Sequence, residues 1–233
     1  MGYGLNIRNR FSSLQVDGEN VNYFLKEEGF NLSVDNTGDG GKSTLVSFSK
    51  GYLPSEVPLV AFRPVSNNEG AGLWRFAYSG GLITGCYFTC VRGYTQHVDW
   101  RVYALDYYES AGNDDFGIEI RNQYGKEVFA SREQAMRFNL GRSVELDWSD
   151  WTTTFVFDHD EESPFFVLQP QGWAIHTIIP ASPFPATYGR TGVQRITATQ
   201  TKVTWIPFYY YSGMGGVVHA GSSPPMFFGI IPK

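Results

Sequence analysis

The segment Tyr3-Gly-Leu-Asn-Ile-Arg-Asn-Arg-Phe11 returns downstream as Phe116-Gly-Ile-Glu-Ile-Arg-Asn-Gln-Tyr124. Gly4/Gly117, Ile7/Ile120, Arg8/Arg121 and Asn9/Asn122 are identical, and the other apolar positions are exchanged for similar ones. A second match follows in the same order, Val57-Pro-Leu-Val-Ala-Phe-Arg-Pro64 against Ser163-Pro-Phe-Phe-Val-Leu-Gln-Pro170, with both prolines at the same spacing. A weaker third match sets Trp100-Arg-Val-Tyr103 against Val203-Thr-Trp-Ile206. A repeated, ordered set of motifs constrains the chain to repeated structure. It predicts two tandem copies of one domain, at 1–113 and 114–213, followed by an apolar C-terminal extension at 214–233.

Each copy reads as strands. Tyr3, Leu5 and Ile7 alternate with Gly4, Asn6 and Arg8, and the same period of two runs through Leu45–Ser49, Leu73–Tyr78, Val98–Tyr103 and Thr153–Phe157. The prolines of the second match demote the ends of those segments to edge or bulge positions. Ser131 to Phe138 (SREQAMRF) has some helical character, but its partner Asn20 to Leu25 is extended, so both are read as strands. Charged residues are 18% of the chain, below the roughly 25% of ordinary soluble domains, while aromatic residues reach 16% and there are 26 glycines. The expected class is all-β, with two tandem related β-sandwich-like domains.

Charge and motif content narrow the function. A net charge of −5 with no long basic run does not fit a nucleic-acid binder. No stretch reaches the roughly 18 apolar residues of a membrane helix, and the opening has no leader pattern, so cytoplasmic synthesis without membrane insertion is expected. Cys86 and Cys90 are spaced along an apolar strand with Cα atoms about 13 Å apart, too far for a disulfide, and read as free buried thiols. The tract Asn36–Thr44 ends like a phosphate loop, but Asn36 stands where the motif needs Gly, and no helix follows. Asp158-His-Asp-Glu-Glu162 is the densest group of ligand-type side chains, without calcium-loop spacing. It reads as a solvated acidic turn. No Gly-x-Ser-x-Gly or HExxH occurs. Were the chain a glycoside hydrolase, Asp147, Asp150 and Asp158 would be the carboxylates to test. Neither an enzyme nor a cofactor is expected.

The positive signals are aromatic and electrostatic. From Ser163 to Lys233 there is no acidic residue, and the only charges are Arg190, Arg195, Lys202 and Lys233. Such a tract suits surface covered by partner subunits, or a low-charge glycan platform. Trp205, Tyr209, Tyr210 and Tyr211, together with Met226, Phe227, Phe228, Ile230 and Ile231, are the expected interface residues. The last five belong to a strip that reads as an interface arm, a strand completing the domain, or a tail. Arg8 and Arg121 are expected to do the same job in each copy, through the planar fork that Lys lacks.

The paired openings and the Val57–Pro64 segment resemble a family of small virion proteins of tailed bacteriophages. These typically begin Met-x-Tyr-Gly-Leu-x-Val-x-Asn and continue with a Val-Pro-Leu-Val-Phe-x-Arg-Pro-like stretch. The similarity covers Tyr3 to Phe129 and loosens beyond. The resemblance implies a structural protein of the tail tip, collar or fibre attachment region, with no catalytic residue to carry over. It also implies a virion location, other tail proteins as partners, and a homo-oligomer or ring. The alternative is a module binding a host receptor or surface glycan.

Overall fold

The computed structural model describes residues 7–8, 14–16, 23–37, 42–56, 58–105, 119–121, 127–130, 141–144, 154–159, 164–167, 173–177, 185–212, 220–222 and 226–231. The side chains discussed below belong to residues 23–37, 42–56, 58–104, 154–159, 164–167 and 190–206. The chain is all-β. In the first half the strands are β1 (Ile7–Arg8), β2 (Leu14–Val16), β3 (Tyr23–Asp35), β4 (Thr44–Tyr52), β5 (Leu59–Pro64), β6 (Gly70–Ser79), β7 (Leu82–Cys90) and β8 (Thr95–Leu105). In the second half they are β9 (Glu119–Arg121), β10 (Glu127–Ala130), β11 (Gly141–Val144), β12 (Thr154–Asp158), β13 (Phe165–Val167), β14 (Trp173–Thr177), β15 (Pro185–Thr197), β16 (Gln200–Ser212), β17 (Ala220–Ser222) and β18 (Met226–Ile231).

Two small hairpins open the halves with one register. Ile7 pairs with Val16 and Arg8 with Leu14, and Ile120 pairs with Phe129 and Arg121 with Glu127. The spacings are identical, and each ladder has its irregularity at the same step. Arg8 and Arg121 therefore hold equivalent backbone positions, while their side chains, and Gly4, Asn9, Gly117 and Asn122, lie outside the described residues.

The larger strands form two antiparallel sheets, one ordered β11-β18-β13-β5-β8-β3 and the other β12-β16-β15-β6-β7-β4. Each sheet draws three of these strands from each half, in mirrored order. The first sheet is joined at its middle by β5 and β13, where Ala61 opposes Val167 and Phe62 opposes Phe166. The second is joined by β6 and β15, where Ala71 opposes Val193 and Gly70 opposes Gln194. The halves are thus not separate bodies in series; both sheets run through their junction. The segment around 113/114, where a linker was expected, lies outside the described residues, as does 131–138.

The mirrored registers correct two sequence expectations. The shift that carries Ile7 to Ile120 also carries the pair Gly29/Trp100 to Arg142/Phe228 on its first member, and Glu28 to Gly141 beside Gly229. Strand β18 therefore stands where β8 stands in the first half. The third sequence match, which equated Trp100–Tyr103 with Val203–Ile206, is displaced: β16 pairs with β12 and β15 as β7 pairs with β4 and β6. The second copy consequently reaches Ile231 and does not end near 213. Met226–Gly229 pair with β11 and Ile230–Ile231 with β13, so this strip's backbone is an inner strand of its own chain. The interface-arm reading gives way to the strand reading, because the backbone of Met226–Ile231 forms antiparallel ladders with both β11 and β13.

The core lies between the sheets. Phe62 of β5 and Phe88 of β7 meet edge to face across the layers, with ring centroids 5.3 Å apart. Val34, Val60, Val98 and Val102 join them from one sheet, and Val46, Leu73, Cys86, Val193 and Val203 from the other. Alternation explains the choice, since successive residues of a strand face opposite sides. The β6–β7 hairpin turns on Gly80 and Gly81, whose φ values of 58° and 80° are cheap only for glycine. At the join of the second sheet, a Cβ on Gly192 would meet Ala71 O at 2.7 Å and the Ile206 side chain. The glycine there permits the two halves to approach.

Candidate functional site: an arginine–aromatic cluster at a sheet fork

Strands β14 and β17 have no counterpart among the described residues of the first half. Together with the early part of β15 and the late part of β16 they extend the second sheet in the order β16-β15-β14-β17. Strand β15 changes partner along one edge: Ala186 to Arg190 pair with β14, and Val193 and Gln194 pair with β6. The sheet forks between Arg190 and Val193. Opposite that fork β6 carries a bulge between Leu73 and Arg75. A bulge breaks alternation and re-aims side chains, so Leu73 stays in the core while Trp74 and Arg75 come together outside it.

Four side chains meet there. The Arg75 guanidinium lies 4.4 Å from the Trp74 ring centroid and 4.7 Å from that of Tyr87. The two rings are edge to face at 5.9 Å. Arg190, from the other half, sets its guanidinium 5.7 Å from the Trp74 ring. Trp74, Tyr87 and Arg190 are half-buried and Arg75 is exposed. Burial, and then the charge of Arg75, hold the Arg190 pKa below its ordinary value.

Elsewhere the protein neutralises its stacked arginines. Arg63 and Arg101 flank Phe165 at 4.5 and 4.2 Å, tying β13 to the first half. Arg63 is paired with Asp99 at 2.9 Å and Arg101 with Glu28 at 3.0 Å. Asp99 also accepts from Asn31 N at 2.9 Å. Among the described residues, no such carboxylate faces Arg75 or Arg190. The acid-free stretch that supplies Arg190 makes that contrast a property of the sequence.

The sequence-predicted residues fall in three places. Trp205, expected at an interface, is 4% exposed and packs in the core of its own chain, because β16 turns that face inward. Tyr209, Tyr210 and Tyr211 stand on β16 opposite Tyr188, Thr187 and Ala186, with side chains outside the described residues. Met226, Phe227, Phe228, Ile230 and Ile231 are on β18, likewise known by backbone alone. The glycine-rich tract joins strands β3 and β4. Its Asn36 is fully buried, donating from Nδ2 to Cys90 O at 2.9 Å and accepting from Lys42 N at 2.7 Å. That is loop closure, and none of the described residues of the tract is helical. In the acidic tract, Asp158 accepts from Gln200 at 2.9 Å and His159 meets Thr201 at 3.2 Å, while 160–162 lie outside the described residues, as do Asp147 and Asp150. Among the described residues there is no metal-type cluster and no helix long and apolar enough to cross a membrane.

Both cysteines are free and buried. Burial, helped by the Asp35 charge, pushes the Cys90 thiol up to about 12, and its Sγ donates to Val34 O or Tyr94 O at 3.3 Å. Burial, with the Glu27 charge behind it, pushes Cys86 up as well. Neither is a nucleophile at neutral pH. Trp74, Arg75, Tyr87 and Arg190 were not singled out in sequence as a group; the one available signal was Trp74-Arg75 in an otherwise alternating run. Comparison with family models, curated proteins and solved structures returns no match.

Proposed function

We propose that this chain is a structural component of a tailed-bacteriophage virion, in the tail tip, collar or fibre attachment region, acting by protein–protein assembly. The motifs at Tyr3–Asn9, Val57–Pro64 and Phe116–Asn122 support the virion reading by resemblance. The observation that carries the assembly reading is the fusion of two related halves through two continuous sheets, with one extension on one half. A body of this kind presents two similar outer flanks to symmetric neighbours. The β14–β17 extension adds a single, acid-free surface for a different contact. Native mass spectrometry of the full chain, alone and with co-expressed tail proteins, tests the reading. A discrete oligomer or stoichiometric complex is expected; a monomer under every condition would overturn it.

A receptor- or glycan-binding module is the second reading, favoured by the partly exposed Trp74 and Tyr87 rings. It requires those rings to remain open to solvent in the assembly, whereas a scaffold covers them.

A further inference from the structure

We infer that the fork is a docking site for a carboxylate-bearing segment of a neighbouring protein subunit, gripped between Arg75 and Arg190 beside Trp74 and Tyr87. The inference rests on the assembly reading and names the chemistry of its partner.

The argument begins with like charges. Arg75 and Arg190 come from different halves of the chain and converge on one indole. Two guanidinium ions in one half-buried place repel each other and lose hydration. The depression of Arg190 by burial and by Arg75 reflects that cost. Stacking on the rings offsets part of it, yet among the described residues the edge N–H groups of each guanidinium meet no acceptor of opposite charge. At Phe165 the same protein completes the same stacking motif with Asp99 and Glu28. At the fork none of the described residues supplies that carboxylate, which leaves the place to an incoming one. Arginine forks match carboxylates in two parallel hydrogen bonds, so the missing group is a planar anion.

Protein, not saccharide, is the source the geometry favours. A sugar stacks on an open aromatic face, but Arg75 already lies over both rings and Arg190 over Trp74. What the fork offers outward is N–H, edged by ring. The surrounding sequence points the same way, because the whole stretch from 163 onward lacks acids and cannot compete with an incoming one. All 23 acidic residues lie earlier in the chain. A second copy is therefore one available donor of such a segment, and a different virion protein is another.

The test uses the full chain with labelled indole nitrogens and assigns the Trp74 signal among the six tryptophans with Trp74→Phe. A short oligoglutamate peptide with blocked ends is the first probe, and an oligogalacturonate of equal charge is the second. The peptide should move the Trp74 signal saturably. Arg75→Gln and Arg190→Gln should each weaken that response about tenfold, since each removes one charge-assisted pair. Arg75→Lys should recover only part of it. Circular dichroism checks that the variants fold, and if Arg190→Gln does not, the exposed Arg75 decides the matter. No peptide response, a response unchanged in Arg75→Gln, or tighter binding of the galacturonate would each overturn the inference, the last in favour of an acidic glycan. Native mass spectrometry of the same samples separates the two levels: an oligomer that ignores the peptide defeats only the carboxylate site, while a monomer that binds it defeats the assembly reading.

Discussion

Ala61 lies directly opposite Val167 in the antiparallel pair of β5 and β13, and the two residues occupy the same position of the second sequence match. An antiparallel pair in which a residue faces its own repeat mate has a local twofold axis between them. In the other sheet the halves are joined where Ala71 lies opposite Val193. The two joins turn a tandem repeat into a fused pseudo-dimer.

Residues 1–113 expressed alone should therefore pair with themselves. Cutting the chain there bares β5 and β6, and unpaired edges recruit further strands. Sedimentation should show a dimer or larger species. A stable monomer with a β-type dichroism spectrum would contradict the role assigned to the joins.

Deleting Gly221 to Lys233 should cost the fold itself. The deletion removes β18, which fills the place between β11 and β13. Loss of the folded spectrum, or precipitation, is expected in circular dichroism and size-exclusion chromatography. A truncated chain that stays folded and soluble would restore the arm.

Gly192→Ala should destabilise the join by about 2 kcal/mol, because the new methyl would press on the Ala71 carbonyl, which is held in the adjoining strand. The midpoint of thermal unfolding should fall by roughly 5 °C. Gly80→Ala is a comparison of a different kind: it meets open space but forces a positive φ of 58° on alanine. Strain there is local to the turn, so the half-to-half contact should survive it.

Alkaline stability follows from Cys90. Its pKa rises from 9.0 to about 12 on folding, so the folded protein holds a proton that the unfolded chain releases first. This contribution is fully present below pH 9 and is lost as pH climbs toward 12. Cys90→Ser removes the thiol from this balance, and its unfolding should depend less on pH in that window when followed by denaturant titration. A parallel pH profile for the variant and the wild type would show that other groups govern alkaline unfolding.

The repeat was legible because Pro58 and Pro164, and the Ile-Arg-Asn triplets, keep both identity and spacing. The third match failed for a physical reason. Trp100–Tyr103 and Val203–Ile206 are both buried strand segments with an aromatic residue, and burial imposes similar composition on strands that are not counterparts. The true counterpart of β8 is Met226–Ile231, pushed along the chain by β14 and β17. Trp205 looked like surface because aromatic richness was read as excess over one core; two fused halves need more core than that. Beyond the Trp74-Arg75 break in an alternating run, the fork was not legible as a site. It also depends on the register that brings Arg190 across from the other half, which has no local signature.

That β18 follows both of its sheet neighbours in the chain also governs how the protein comes into being. Strands β11 and β13 leave the ribosome well before the strand that must lie between them. Until β18 has been made, both present unsatisfied backbone toward an empty slot. Closure of the six-stranded sheet thus waits for the last of its strands to be made. A prematurely terminated product cannot hide those strands, which leaves it open to proteolysis before it can be built into anything larger.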